Sequence, residues 1–132
     1  MSAWGTGIFE NDDSLDWIYD LADAGSLTHV SAALDLIIRN KEGFPEVFDC
    51  RIALAAAEII AAMLGDPSPD LPEEAEEWIG DRILENEKLR TNAENAVAII
   101  MGKSELKEKL ESSENFEKWQ KEVQDLQKRL EI

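Results

Sequence analysis

The chain has 132 residues, 44% of them apolar, which is long and apolar enough for one domain with its own core and excludes global disorder. Lys and Arg number 13 against 29 Asp and Glu, a net charge of −16. That balance excludes a binder of nucleic-acid backbones, which needs clustered cations, and disfavours an anionic membrane surface. Cys50 is the single cysteine, so neither an intrachain disulfide nor a cysteine-based zinc site is available. Met1 to Asp12 opens with Trp4-Gly5-Thr6-Gly7-Ile8-Phe9, whose glycines mark a loop or turn. No basic segment precedes its apolar residues and acids begin at Glu10. No signal peptide is expected, and the cytoplasm is the expected compartment.

Asn11 or Asp12 can cap a first helix running to about Asp23, with Phe9 as its hydrophobic staple. Leu15, Ile18 and Ala22 share one face of that helix, while Asp12, Asp16 and Asp20 form an acidic stripe on another. Gly25 ends it. A second amphipathic helix spans roughly Leu27 to Asn40, capped by Ser26 or Thr28, with Val30, Leu34, Ile37 and Ile38 facing inward. After the break at Gly43-Phe44-Pro45, Asp49 is the expected cap of a third helix.

That third helix, Cys50 to Gly65, is the expected centre of the fold. Only Arg51 and Glu58 interrupt its apolar character, and a helix apolar nearly all round must be buried. Its alanines favour helix, and Gly65 before Pro67 stops it. The proline-rich stretch Asp66 to Pro72 reads as an inter-helix loop. Asp70 and Glu73 suit a capping box for a helix that ends near Gly80. A further helix reaches Met101 with Leu84, Leu89, Ala93, Ala96, Val97 and Ile100 facing in. Ser104 caps a short helix holding Leu106 and Leu110, broken at Ser112-Ser113. In the last helix Phe116, Trp119, Val123, Leu126 and Leu130 recur at spacings of three and four. Barely two heptads are too few for a dependable coiled coil, so inward packing and a monomer are expected. The reading is all-α: a single compact domain over residues 1–132, with six or seven helices around a central Ala-rich one.

No catalytic constellation suggests itself. His29 is the sole histidine, with alanines at its helical neighbours. The stripe Asp12, Asp16, Asp20 lacks the glycine and closing glutamate of a calcium loop. Gly5-x-Gly7 ahead of a helix resembles an anion cradle, but Glu10, Asp12 and Asp13 would repel phosphate there. No metal, cofactor or catalytic residue is expected. Glu58 is the most informative single residue, because a buried carboxylate must be paired, hydrogen-bonded or protonated. Its helical neighbours Leu54, Ala55, Ala61 and Ala62 offer no donor. The expectation is that the loop bearing Trp4, Gly5 and Gly7 packs on the central helix and satisfies Glu58.

The opening Met1-Ser2-Ala3-Trp4-Gly5-Thr6-Gly7-Ile8-Phe9-Glu10-Asn11-Asp12 resembles the start of a bacterial family called domain of unknown function 4259. The likeness continues through Leu15-Asp16-Trp17, Cys50 to Glu58, Leu71-Pro72 and Ser104-Glu105-Leu106, in that order. It departs at Lys107 to Leu110, where an aromatic would follow Glu-Leu. The resemblance implies a small helical domain and brings no activity with it. Composition then favours a protein that works by binding another protein, by an immunity- or inhibitor-like mechanism. Its expected partner is basic, because negative charge speeds encounter with positive. The alternatives are a small-ligand binder or enzyme with a pocket around Glu58 and the N-terminal Trp-Gly loop, and a structural protein that self-associates through its last helix.

Overall fold

The computed structural model describes residues 5–40 and 42–131. Among them are seven helices: α1 (Asp12–Ala24), α2 (Leu27–Ile38), α3 (Val47–Met63), α4 (Glu73–Ile79), α5 (Glu87–Gly102), α6 (Glu105–Glu111) and α7 (Phe116–Leu130). α3 touches all six of the others. Every residue from Ile52 to Ala61 is buried on it, Glu58 included. The alanines explain how one helix can have so many neighbours, since a methyl side chain lets another backbone approach closely on any side. No helix among the described residues is long and apolar enough to cross a membrane.

The helix ends follow local chemistry in some places and distant chemistry in others. Asn11 caps α1 by accepting from the Ser14 amide at 2.8 Å, and Ser104 caps α6 by accepting from Lys107 at 3.1 Å. α3 closes in a Schellman arrangement, with Asp66 donating to Ala61 and Gly65 to Ala62. Gly65 carries the required positive φ of 96°, which only glycine adopts without strain. Gly25 ends α1 for another reason. Its φ is ordinary, but a Cβ there would lie 2.7 Å from the Leu21 Cα.

Four expectations about helix starts need correction. α3 begins at Val47, and Asp49 lies inside its first turn. Its cap comes from α6, where the Glu105 carboxylate accepts from the Val47 amide at 2.9 Å while the Glu105 amide donates to Pro45. Asp70 and Glu73 form no capping box, because Pro72 occupies the N-cap of α4 and the Asp70 amide turns to the Ser68 hydroxyl. α5 begins at Glu87 with Asn86 as its cap, leaving Leu84 to pack on the core from the connector. α2 gets no side-chain cap from Ser26.

α7 packs inward. Trp119, Val123, Leu126 and Leu130 are buried, and Phe116 packs against the same core. The end of α7 is tied to α5, since Arg90 Nη1 donates to the Leu130 carbonyl at 3.0 Å.

Candidate functional site

Beyond its first turn α3 carries two charged side chains, Arg51 and Glu58, seven residues apart on one stripe, and each draws a different part of the chain to it. Glu58 lies at the helix middle with no exposed surface. Arg129 of α7 meets it with both ends of the guanidinium, Nη1 to Oε1 at 2.7 Å and Nη2 to Oε2 at 3.0 Å. The same guanidinium donates from Nε to Asp125 at 2.8 Å and from Nη1 to the Asp66 carbonyl at 3.2 Å. Burial pushes the Glu58 carboxyl above its ordinary value, and Arg129 pulls it part of the way back. For Arg129 burial works against the charge, yet Glu58 and Asp125 hold the guanidinium above its ordinary value. Two short parallel bonds of this kind are charge-assisted and favour the ionised pair against burial.

This overturns the expectation that the N-terminal loop satisfies Glu58. Trp4, one of the donors proposed for that role, lies outside the described residues. The described donors of the loop go elsewhere: the Gly7 amide to Glu10 at 2.9 Å and the Ile8 amide to Glu122 of α7 at 3.1 Å. The Glu10 carboxylate folds back against both loop glycines, where a Cβ on Gly5 or Gly7 would push it aside. The loop is thus an anion cradle already filled by its own glutamate. Burial raises the Glu122 carboxyl above its ordinary value while the Ile8 amide lowers it; Glu58, Asp70 and Glu10 add to the rise.

Arg51, the other of those two residues, lies one side of the loop away. Its Nη1 donates to Asp13 of α1 at 3.1 Å, and the buried Ser14 hydroxyl donates to its carbonyl at 3.2 Å. Beside it opens a cavity of about 400 Å³ between the loop, α3, α6 and α7. Gly5, Thr6, Gly7 and Asn11 line one wall; Ile8, Leu54, Leu106, Leu110 and Trp119 form the apolar remainder. Glu58 does not line it. A second hollow of about 350 Å³ lies on the other flank of the loop, where Glu10, Asp70 and Glu122 gather with Lys118.

Asp12, Asp16 and Asp20 are exposed along α1. α4 packs directly on α1, fastened by the Trp78 indole N–H to the Gly25 carbonyl at 3.3 Å. Glu73, Glu74, Glu76 and Glu77 of α4 are exposed too. Neither helix contains a basic residue. The tertiary fold therefore joins two acidic stretches that lie some fifty residues apart in sequence. No group of three or more metal-ligating side chains occurs among the described residues. Cys50 is buried and donates weakly to the Pro45 carbonyl. Burial pushes its thiol up to about 11, which leaves too little thiolate for a nucleophile.

Sequence reasoning missed Arg129, Glu122 and Glu105. No local pattern marks them, because each acts on an element distant in the chain.

The architecture defines a class: an all-α domain wrapped on a helix buried through its middle, Ile52 to Ala61, with its N-terminal loop bonded to carboxylates. The family model described as Domain of unknown function (DUF4259) matches residues 2–122, and the chain belongs to that family. Arg129 lies beyond the matched residues. No curated protein and no solved structure matches the chain.

Proposed function

We propose that this is a cytoplasmic protein that binds a basic protein partner through the joined faces of α1 and α4, in an immunity- or inhibitor-like manner. The observation that carries the reading is the packing of α4 on α1, which makes one acidic surface of two separate stretches. Residues 1–35 hold 7 acids and no base, and residues 66–87 hold 9 acids against Arg82 alone. Arg82 itself is turned back, stacked over the Trp78 ring and bonded to its carbonyl. Apolar anchors stand within the charge: Tyr19 on α1 is 47% exposed and Ile83 just after α4 is 77% exposed. An aromatic or aliphatic anchor ringed by charge is the usual anatomy of a protein interface. Such an interface needs no catalytic group, and its acids steer the encounter.

The test uses a partner cross-linked to the protein in its native host, beginning with the product of the neighbouring gene. Association is timed at low and high salt with the wild type and with a variant carrying Asp16→Lys, Asp20→Lys, Glu74→Lys and Glu77→Lys. The wild-type rate should fall steeply with salt, and the variant should associate at least ~10-fold more slowly at low salt. A partner whose contact surface is neutral or acidic would sink the reading, as would a rate indifferent to salt.

A further inference from the structure

The chain has five arginines, and four of them hold a carboxylate. Arg39 pairs with Asp35, Arg51 with Asp13, Arg90 with Glu87 and Arg129 with Glu58. Arg82 is the exception, and it stands where carboxylates are densest. Residues 66–87 hold 9 acids, yet Arg82 makes no ion pair among the described residues. Its guanidinium lies instead over Trp78, with Cζ 4.2 Å from the ring centroid, and its Nε donates to the Trp78 carbonyl at 2.9 Å.

Ring and carbonyl together make a niche shaped for a guanidinium. The ring is fixed, because its indole N–H is bonded to the Gly25 carbonyl at 3.3 Å and the side chain packs on the core. The carbonyl belongs to the last turn of α4, where carbonyls lack helical partners and carry partial negative charge. A planar guanidinium stacks on the ring and keeps an in-plane N–H for the carbonyl; the compact ammonium of lysine has no plane to stack. Glu74, Glu77 and Asp81 are exposed close by in the chain. Little holds Arg82 in the niche. It is exposed in the connector between α4 and α5, and its Nη1 and Nη2 donate to no acceptor among the described residues. Swinging the side chain away would leave no buried charge behind.

We infer that the Trp78 face and carbonyl receive one arginine side chain of the basic partner, and that Arg82 fills this place in the free protein and yields it on binding. The inference rests on the reading of the α1–α4 surface as the partner's contact, and it names the residue type the partner presents there. Ile83, next in sequence and 77% exposed, offers apolar contact to whatever flanks that arginine. Exchange of one stacked guanidinium for another is close to neutral. Arg82 therefore tunes the surface: it competes with an incoming arginine and hardly with a lysine.

Two nonapeptides serve as probes on the whole chain at low salt, one alternating Gly with Arg and the other Gly with Lys. The assigned Trp78 indole N–H is followed by NMR. Because the peptides carry equal charge, the ratio of their affinities isolates the niche from the general pull of the acids. Arg82→Ala empties the niche, and the preference for the Arg peptide should rise at least ~2-fold above that of the wild type, the effect of one exposed stack. In that variant the Arg peptide should shift the Trp78 resonance saturably and further than the Lys peptide does. Arg82→Lys keeps the charge at this position and should raise the preference in the same direction; it carries the test if Arg82→Ala loses the wild-type amide spectrum. Adding Trp78→Leu to Arg82→Ala should return the preference to the wild-type value or below. The same preference in wild type and both Arg82 variants would overturn the inference, since a gain shared equally by the two peptides reports charge alone. A Trp78 resonance that stays still in Arg82→Ala at saturating Arg peptide would overturn it as well. Neither result touches the acidic-surface reading, whose own failure is association with the native partner at a rate indifferent to salt.

Discussion

The two charged residues that α3 carries beyond its first turn meet opposite fates. Glu58, at the middle of the helix, is sealed against Arg129 with no exposed surface. Arg51, seven residues earlier on the same stripe, has its own carboxylate partner in Asp13 but stands at the wall of an open cavity. The difference arises from what covers each turn of the helix. α7 lies over the middle of α3 and brings a guanidinium long enough to reach in. Near Arg51 the covering among the described residues is a glycine-bearing loop and the short helix α6, with a cavity between them. A buried charge pair surrounded by helices is closed architecture; the same kind of pair beside a loop has a cavity next to it.

Breaking the sealed pair should have the largest effect. Arg129→Met leaves Glu58 buried without its partner and should cost about 3–5 kcal/mol of unfolding free energy in urea titration. Glu58→Leu combined with Arg129→Met should recover most of that, because two apolar residues need no pairing. A single Arg129→Met protein within ~1 kcal/mol of wild type would show that the pair is not the fastening it looks to be.

Trp119→Ala probes the same α7 nearer the cavity. The ring is 2% exposed, and its loss should cost about 3–5 kcal/mol, as for a buried tryptophan. The mass in light scattering should stay that of a monomer. A dimer that becomes an equally stable monomer on this substitution would contradict inward packing of α7.

Acidification acts on two buried carboxyls in the same direction. Glu58 and Glu122 are both raised above their ordinary values, burial being the larger cause in each. A carboxyl raised on folding contributes stability that is complete below its unfolded value and is lost as pH rises through the folded one. Stability should therefore climb as pH falls from 7 toward 5. In Arg129→Met the counterweight on Glu58 is gone and its carboxyl rises further. The deficit of that variant should then narrow on acidification by about 1 kcal/mol or more. A deficit constant across this range would mean that Glu58 does not titrate there.

The loop should give the smallest effect. Gly7→Ala pushes the Glu10 carboxylate off the Gly7 amide. Glu10 is a flexible side chain that can swing aside, so the cost should be about 1 kcal/mol, one hydrogen bond to a charged acceptor. A loss above ~3 kcal/mol would show that the loop backbone itself must move.

Much of the architecture was legible from residue order alone. The apolar run from Cys50, the glycine at 65 and the three-and-four spacing of Phe116 to Leu130 each announce a helix and its buried side, because helix periodicity is a local property of the backbone. The family resemblance, too, was carried by residues readable in order. Asn11 and Ser104 were legible as caps for the same reason, since a cap acts within three residues. Glu58 could be identified as needing a partner, because desolvation penalises any lone carboxylate wherever the chain folds. Which partner it takes was a matter for tertiary structure. Arg129 stands seventy-one residues away, Glu105 caps a helix fifty-eight residues before it, and Glu122 holds a loop amide across 114. Long-range pairing depends on how helices are placed around α3, and a hydrophobic stripe sets which face turns inward without setting which neighbour covers it. The joining of the acidic helices α1 and α4, and the cavity beside Arg51, were decided at that level.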